Sequence, residues 1–187
     1  MKTNNEILKI KASLLFILKS FKEGVDYIKL FKIMYFAQQE SLVKYGKPIF
    51  NETFCALKHG PVPSFTYKCY QILDGRQPEV ADLVNFNKVF KIEDSKVIPL
   101  EEPDTDELSK TDIQFFNNAI ENYKDVDSYD LSEISHDSAW KEAYMRSQDD
   151  PEKDRISLIE IAKAGGATSD VINYIREKEQ LKRALSL

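Results

Sequence analysis

The chain has 187 residues, 42% of them hydrophobic, with 11 Phe, 9 Tyr and only 6 Gly, a composition that excludes disordered and fibrous classes and suits one compact domain. Its net charge of −5 lacks the basic excess of nucleic-acid-binding domains, so nucleic acid is not expected as a partner. The charge is uneven: residues 1–80 carry 12 Lys and Arg against 7 Asp and Glu, and residues 81–187 carry 14 against 24. Either the halves intermix and attract each other, or one face steers a charged protein partner.

Ile7, Ile10, Leu14, Ile17, Leu18 and Phe21 recur at helical spacing, and Gly24 follows as a stop. Glu6, Lys9, Lys11 and Lys19 break this run and no small-residue cleavage site follows it, so it is not expected to be a signal peptide. No other stretch is apolar enough to span a bilayer. Asp26 is placed to cap a second helix, "YIKLFKIMYFAQQESLVKYG", where Ile28, Phe31, Tyr35 and Leu42 form one stripe and Leu30, Met34 and Ala37 another. A helix apolar on two sides is expected to be central. Tyr45 and Gly46 end it, and "GKPIFNET" forms a loop.

Phe54 to Leu57 is a short extended piece, and the residues before Pro61 and Pro63 are pushed away from helical dihedrals. Ser64 or Pro63 then opens a helix carrying Phe65, Cys69, Ile72 and Leu73 on one face, with Gly75 at its end. "HGPVP" therefore forms a stiff strand-to-helix corner. Val84, Phe86, Val89, Phe90 and Ile92, then Val97 and Ile98, flank "EDS" as a β-hairpin that must pack on the helices or pair with Phe54 to Leu57. The acidic "EEPDTDE" is a solvated connector. Leu108, Ile113, Phe116, Ile120 and Tyr123 mark another helix, for which Ser109 and Asp112 have capping-box spacing. "YDLSEISHDSAWKEAY" fits two short helices joined at His136, "SQDDPEKDR" a charged surface loop, and Leu158, Ile159 and Ile161 a short helix stopped by Gly165 and Gly166. Ser169 or Asp170 caps a charged terminal helix that either docks or stands off as a partner-binding arm. The expected fold is α+β and mostly helical: one domain of about seven helices around a long central helix, with a small antiparallel hairpin or three-stranded sheet.

Chemistry is sparse. Cys55 and His59 are four apart and invite a nucleophile-base reading, but no third residue is placed to orient the imidazole. The simpler expectation is a core thiol and a histidine bonded to backbone at the corner. Cys55 and Cys69 lack metal-type spacing and fit reduced thiols in a cytoplasm. His136 is the only other histidine, so no metal site or cofactor is expected. Trp140, the sole tryptophan, is most simply an anchor on the stripe of Ala143 and Tyr144, and His136, one turn before it, is placed to stack on its ring or cap a helix end.

"KLFKIMYFAQ", "YGKPIFNETFCALKHGPVPSFTY" and "LSEISHDSAW" together resemble the SocA-like antitoxin family, also called the Panacea domain, over roughly residues 7–162. The His-Gly-Pro-Val-Pro element is the specific part. The resemblance implies a non-catalytic cytoplasmic domain, residues 1–166, that neutralises a co-encoded toxin by direct binding, with residues 167–187 as a charged helical extension. In the founding member the toxin is handed to a AAA+ protease, which the resemblance makes a second expected partner. The family often has an acidic residue after Tyr-Phe-Ala, where Gln38, Gln39 and Glu40 stand here, so a contact surface is expected to differ. Ser135 stands where threonine is usual. The surface expected to meet a partner is one rigid region made of Tyr45, Gly46, Lys47, Pro48, His59, Gly60, Pro61, Val62 and Pro63, near His136 and Trp140. A purely architectural corner is the competing view. Two other functions remain open: a small Cys55/His59 hydrolase, and a mobile-element regulator that binds nucleic acid.

Overall fold

The structure, a computed structural model, describes residues 2–77 and 88–185. In chain order the elements are α1 (Asn4–Leu18), β1 (Val25–Asp26), α2 (Tyr27–Tyr45), β2 (Phe54–Leu57), β3 (Gly60–Pro63), α3 (Ser64–Leu73), β4 (Phe90–Glu93) and β5 (Lys96–Pro99). They continue with α4 (Lys110–Tyr123), α5 (Ser128–Ile134), α6 (Ser138–Asp149), β6 (Arg155–Ile156), α7 (Leu158–Ala164) and α8 (Ser169–Leu185). The fold is α+β and mostly helical, with eight α-helices among the described residues.

α2 is the central element. Leu30, Phe31, Ile33, Met34, Tyr35, Ala37 and Leu42 are all buried, because α1, α4, α5, α7, α8 and β3 surround it. Its ends follow from local chemistry. The Asp26 carboxylate accepts from the Lys29 amide at 3.0 Å, and Gly46 closes the helix in the left-handed region at φ 60, where only glycine is free of a Cβ penalty. Capping boxes start α1 at Thr3/Glu6, α4 at Ser109/Asp112 and α7 at Ser157/Glu160. For α8 the capping hydroxyl is that of Thr168, one residue earlier than the sequence suggested; it accepts from the Val171 amide at 3.4 Å.

Two three-stranded antiparallel sheets flank this core, in the orders β1-β5-β4 and β3-β2-β6. The β4–β5 hairpin turns through Asp94 and Ser95, both at positive φ, and pairs with β1, Val25 against Val97. It does not pair with β2, whose two edges are already taken by β3 and β6. Val84 and Phe86, also assigned to this hairpin from the sequence, lie outside the described residues. The stretch expected to be a charged loop, 147–155, begins inside α6 and ends on the first residue of β6, where Arg155 pairs with Cys55 and Ile156 with Phe54.

The charge halves intermix. Lysines of α1 meet the acidic connector and α4: Lys9 with Asp112 at 2.8 Å, Lys11 with Glu101 at 2.6 Å, and Lys19 with Glu102. Part of the basic charge of the first half is therefore matched by acidic groups of the second.

Candidate partner-binding site

His59 sits at the tip of the β2–β3 hairpin. Register pairs Leu57 with Gly60 and Cys55 with Val62, leaving Lys58 and His59 as an exposed two-residue turn. Gly60 takes φ 91, and an added Cβ would lie 2.3 Å from Ser135 Oγ and 2.8 Å from Lys32 Nζ, so only glycine lets the hairpin seat this closely on the α5–α6 corner. Gly60, Pro61, Val62 and Pro63 are buried. Within "HGPVP", only the histidine faces solvent.

Next to the tip, three rings stack in a row, His136 from the α5–α6 link and Trp140 and Tyr144 from α6. His136 lies on Trp140 with centroids 3.7 Å apart and planes at 18°, and Trp140 lies on Tyr144 at 4.7 Å and 16°. The i, i+4 spacing of Trp140 and Tyr144 on one helix face produces this ladder. Trp140 is tied across to the hairpin by Nε1 donating to the Leu57 carbonyl at 2.9 Å. Its rings are half-buried, packed inward on the core with an edge to solvent. Burial pushes the His136 imidazole below its ordinary value; Glu133 opposes this, and positive charge on Lys32, His59 and Lys141 adds to it.

Two side chains that the sequence did not single out hold this corner. Asp137 caps α6, with Oδ1 accepting from the Trp140 amide at 3.0 Å, while Oδ2 accepts from Tyr35 Oη at 2.7 Å and Gln39 Nε2 at 2.9 Å. Burial and the Asp137 charge both raise the Tyr35 pKa, keeping the phenol protonated as a donor. Lys32, in the middle of α2, is 1% exposed and donates from Nζ to the Pro61 carbonyl at 2.9 Å. Burial alone drives its pKa down to about 7. A lysine within the apolar run Leu30-Phe31-Lys32-Ile33-Met34 was the one available signal, and it is equally what a snorkelling surface lysine gives.

Gln38 is an internal fastener, whereas half-buried Gln39 and Glu40 are bonded within the protein and also line a surface pocket. Gln38 accepts from the Ile49 amide at 2.8 Å and donates to the Phe50 carbonyl at 3.3 Å, and Gln39 reaches Asp137. Glu40 binds Asn118 at 2.9 Å.

The remaining expected contact residues lie elsewhere. Tyr45 ends α2, about 20 Å of helix from Lys32, and Gly46 to Pro48 follow it. Tyr45 is 52% exposed, Gly46 is buried under Tyr174 and Ile175 of α8, the Lys47 carbonyl accepts from Ser41 Oγ at 2.7 Å, and Pro48 borders a groove with Glu179 and Lys182. The two groups meet different parts of α2: Gly60 and Pro61 pack against Lys32 within the helix, and Tyr45–Pro48 lie at its C-terminal end. His59, His136 and Trp140 do come together.

Cys55 and His59 do not form a pair. Cys55 is half-buried in a pocket walled by Thr53, Ser64, Glu152, Asp154 and Arg155, and His59 is not among the walls. Burial, then the Asp154 carboxylate, pushes the thiol up to about 12, the reverse of what a nucleophilic thiolate requires. Among the described residues, no group of three or more His, Cys, Asp or Glu side chains is arranged to hold a metal ion, and no helix is long and apolar enough to cross a membrane.

A family model described as antitoxin SocA-like, Panacea domain, matches residues 30–141, more than half of the chain. The match starts within α2, takes in the hairpin and the α5–α6 corner, and ends one residue past Trp140. No curated protein and no solved structure matches.

Proposed function

The chain belongs to the SocA-like antitoxin, Panacea-domain family, and from that premise we propose that it neutralises a co-encoded toxin protein by direct contact, with the hairpin tip and the α6 ring ladder as the contact face. The observation that carries this reading is the ladder itself: three stacked rings, half-buried, pinned by the Trp140–Leu57 bond and by Asp137. Aromatic anchors fixed before contact lose little conformational freedom when a partner arrives, and such residues dominate protein interfaces. His59 and Lys58 on one side and Lys141 on the other supply a polar rim.

The test is co-expression with the product of the neighbouring reading frame. That product is expected to be toxic alone and harmless beside this chain. The double variant His59→Ala/Tyr144→Ala is expected to lose protection while melting within a few degrees of the wild type, and Tyr45→Ala, at the far end of α2, to retain it. Full protection by the double variant, or loss only in Tyr45→Ala, overturns the assignment of the face. Following toxin half-life in the same cells separates delivery to a AAA+ protease, which shortens it, from simple blockade, which does not.

A further inference from the structure

Lys32 lies directly beneath this face but is too deeply buried to touch a partner. An ammonium has three donors, and among the described residues this one meets a single acceptor, the Pro61 carbonyl. The charged groups nearest the site are those gathered around His136, on which Lys32 also acts. From the hairpin comes His59, exposed at the turn, and from α5 comes Glu133, whose carboxylate is 59% exposed and lies 3.6 Å from His136 Nδ1. From the α5–α6 link come Ser135, His136 and Asp137: the Ser135 hydroxyl donates to the Ser132 carbonyl, and the Asp137 oxygens hold Trp140, Tyr35 and Gln39. From α6 comes Lys141, another cation. No carboxylate among these forms an ion pair with Lys32. His136 Nε2, buried next door, also has no hydrogen-bond partner among the described residues.

Resting on the reading of this face as the contact surface, we infer that protonation of Lys32 unlatches the Lys58–Gly60 turn from the Ser135–His136 corner, so that the recognition face is regulated by pH. The neutral amine donates one N–H to Pro61 and leaves the dry site uncharged. Adding a proton places an unpaired charge there, and the charge is relieved only if water reaches Nζ. The covering elements differ in how easily they yield. α2 and α5 are hydrogen-bonded helices, whereas the hairpin tip is two exposed residues and a glycine, so the tip is the part that moves. Trp140 is bonded to Leu57 at the base of that turn, so its ring reports the movement. The direction agrees with the lowered pKa of Lys32, about 7, which places the transition within reach of ordinary buffers.

The experiment uses the full chain without a partner, so its failure is separable from failure of the antitoxin reading, which co-expression decides. Hydrogen exchange of the amides in residues 57–62, corrected for intrinsic rates, and Trp140 fluorescence are followed from pH 8.5 to 5.5 in wild type and Lys32→Met. In the wild type, protection is expected to fall by as much as about tenfold per pH unit below pH 7, with a parallel fluorescence change, the limit for one linked proton. In Lys32→Met both are expected to be flat, with His59 and His136 retained. An unchanged profile in Lys32→Met assigns the effect to the imidazoles and overturns the inference, as does a flat wild-type profile. Should Lys32→Met fail to fold, the Lys32 Cε resonance of the wild type decides: titration near 7 supports the latch, and titration in the ordinary lysine range near 10.4 overturns it.

Discussion

Two glycine-proline stretches lie twelve residues apart in sequence, Gly46 to Pro48 and Gly60 to Pro63, and they do different work. The first ends α2 and serves as a floor for α8, with Gly46 under Tyr174. The second is driven into the protein between Lys32 and Ser135, with the Lys32 ammonium bonded to the Pro61 carbonyl and one exposed histidine just before it. The comparison teaches that stiffness in the sequence does not say which side of the chain faces a partner. That is decided by what the glycine lies against: a flexible ring in one case, a closed polar corner in the other.

The largest expected effect comes from Lys32. Its pKa falls from 10.5 to about 7 on folding, so the unfolded chain binds the extra proton between those values and stability rises with pH across that window. The advantage is complete above 10.5 and lost as pH falls through 7. At full strength the shift is worth about 5 kcal/mol, an upper bound because a charged side chain draws in water. The difference between wild-type and Lys32→Met urea midpoints, measured from pH 6 to 10, is expected to shrink steadily with rising pH; a constant difference breaks the argument.

The next effect sharpens the contrast between the two glycines. Gly60→Ala places a Cβ at φ 91 within 2.3 Å of Ser135 Oγ and is expected to lose about 3 kcal/mol or fail to fold. Gly46→Ala meets Tyr174 Cδ1 at 2.6 Å, the side of a ring that can swing away, and is expected to lose about 1 kcal/mol. Equal losses in urea denaturation show that the two stretches are equivalent after all. The smallest effect is that of Tyr35→Phe, which removes one donor to Asp137 and is expected to cost about 1 kcal/mol or slightly less, read as a melting shift of a few degrees.

Much of the fold was legible because local chemistry fixes it. Asp26, Gly46, Ser109 and Asp112 act at the termini their residue types suggest, and the β4–β5 turn falls within "EDS". β1 and β6 were not legible, since two residues are too few for an alternating pattern and their pairing is decided by distant strands. Of the site, the stacking of His136 on Trp140 is one of the two roles its four-residue separation suggested, although His136 stands in the link before α6. The burial of Lys32 did not, because it depends on Gly60 and Ser135, which are far away in sequence and carry no sign that they meet. The separation of Tyr45–Pro48 from His59 was hidden for the same reason: a short loop between them gives no direction, and α2 supplies it.

The alternation of Pro61 and Pro63 along β3 has a further consequence. Val62 and Ser64 turn their amides toward β2, as the Ser64-to-Thr53 bond of 2.8 Å confirms, so the two prolines occupy the positions whose amides would otherwise point outward. The β3 rim of this sheet therefore offers no donor from Pro61 or Pro63, and the Pro61 oxygen on that side is already taken by Lys32. A foreign strand cannot zip onto it. This margin is buried against Lys32 of α2, so proline at both positions removes two amides that would need partners in a dry interior.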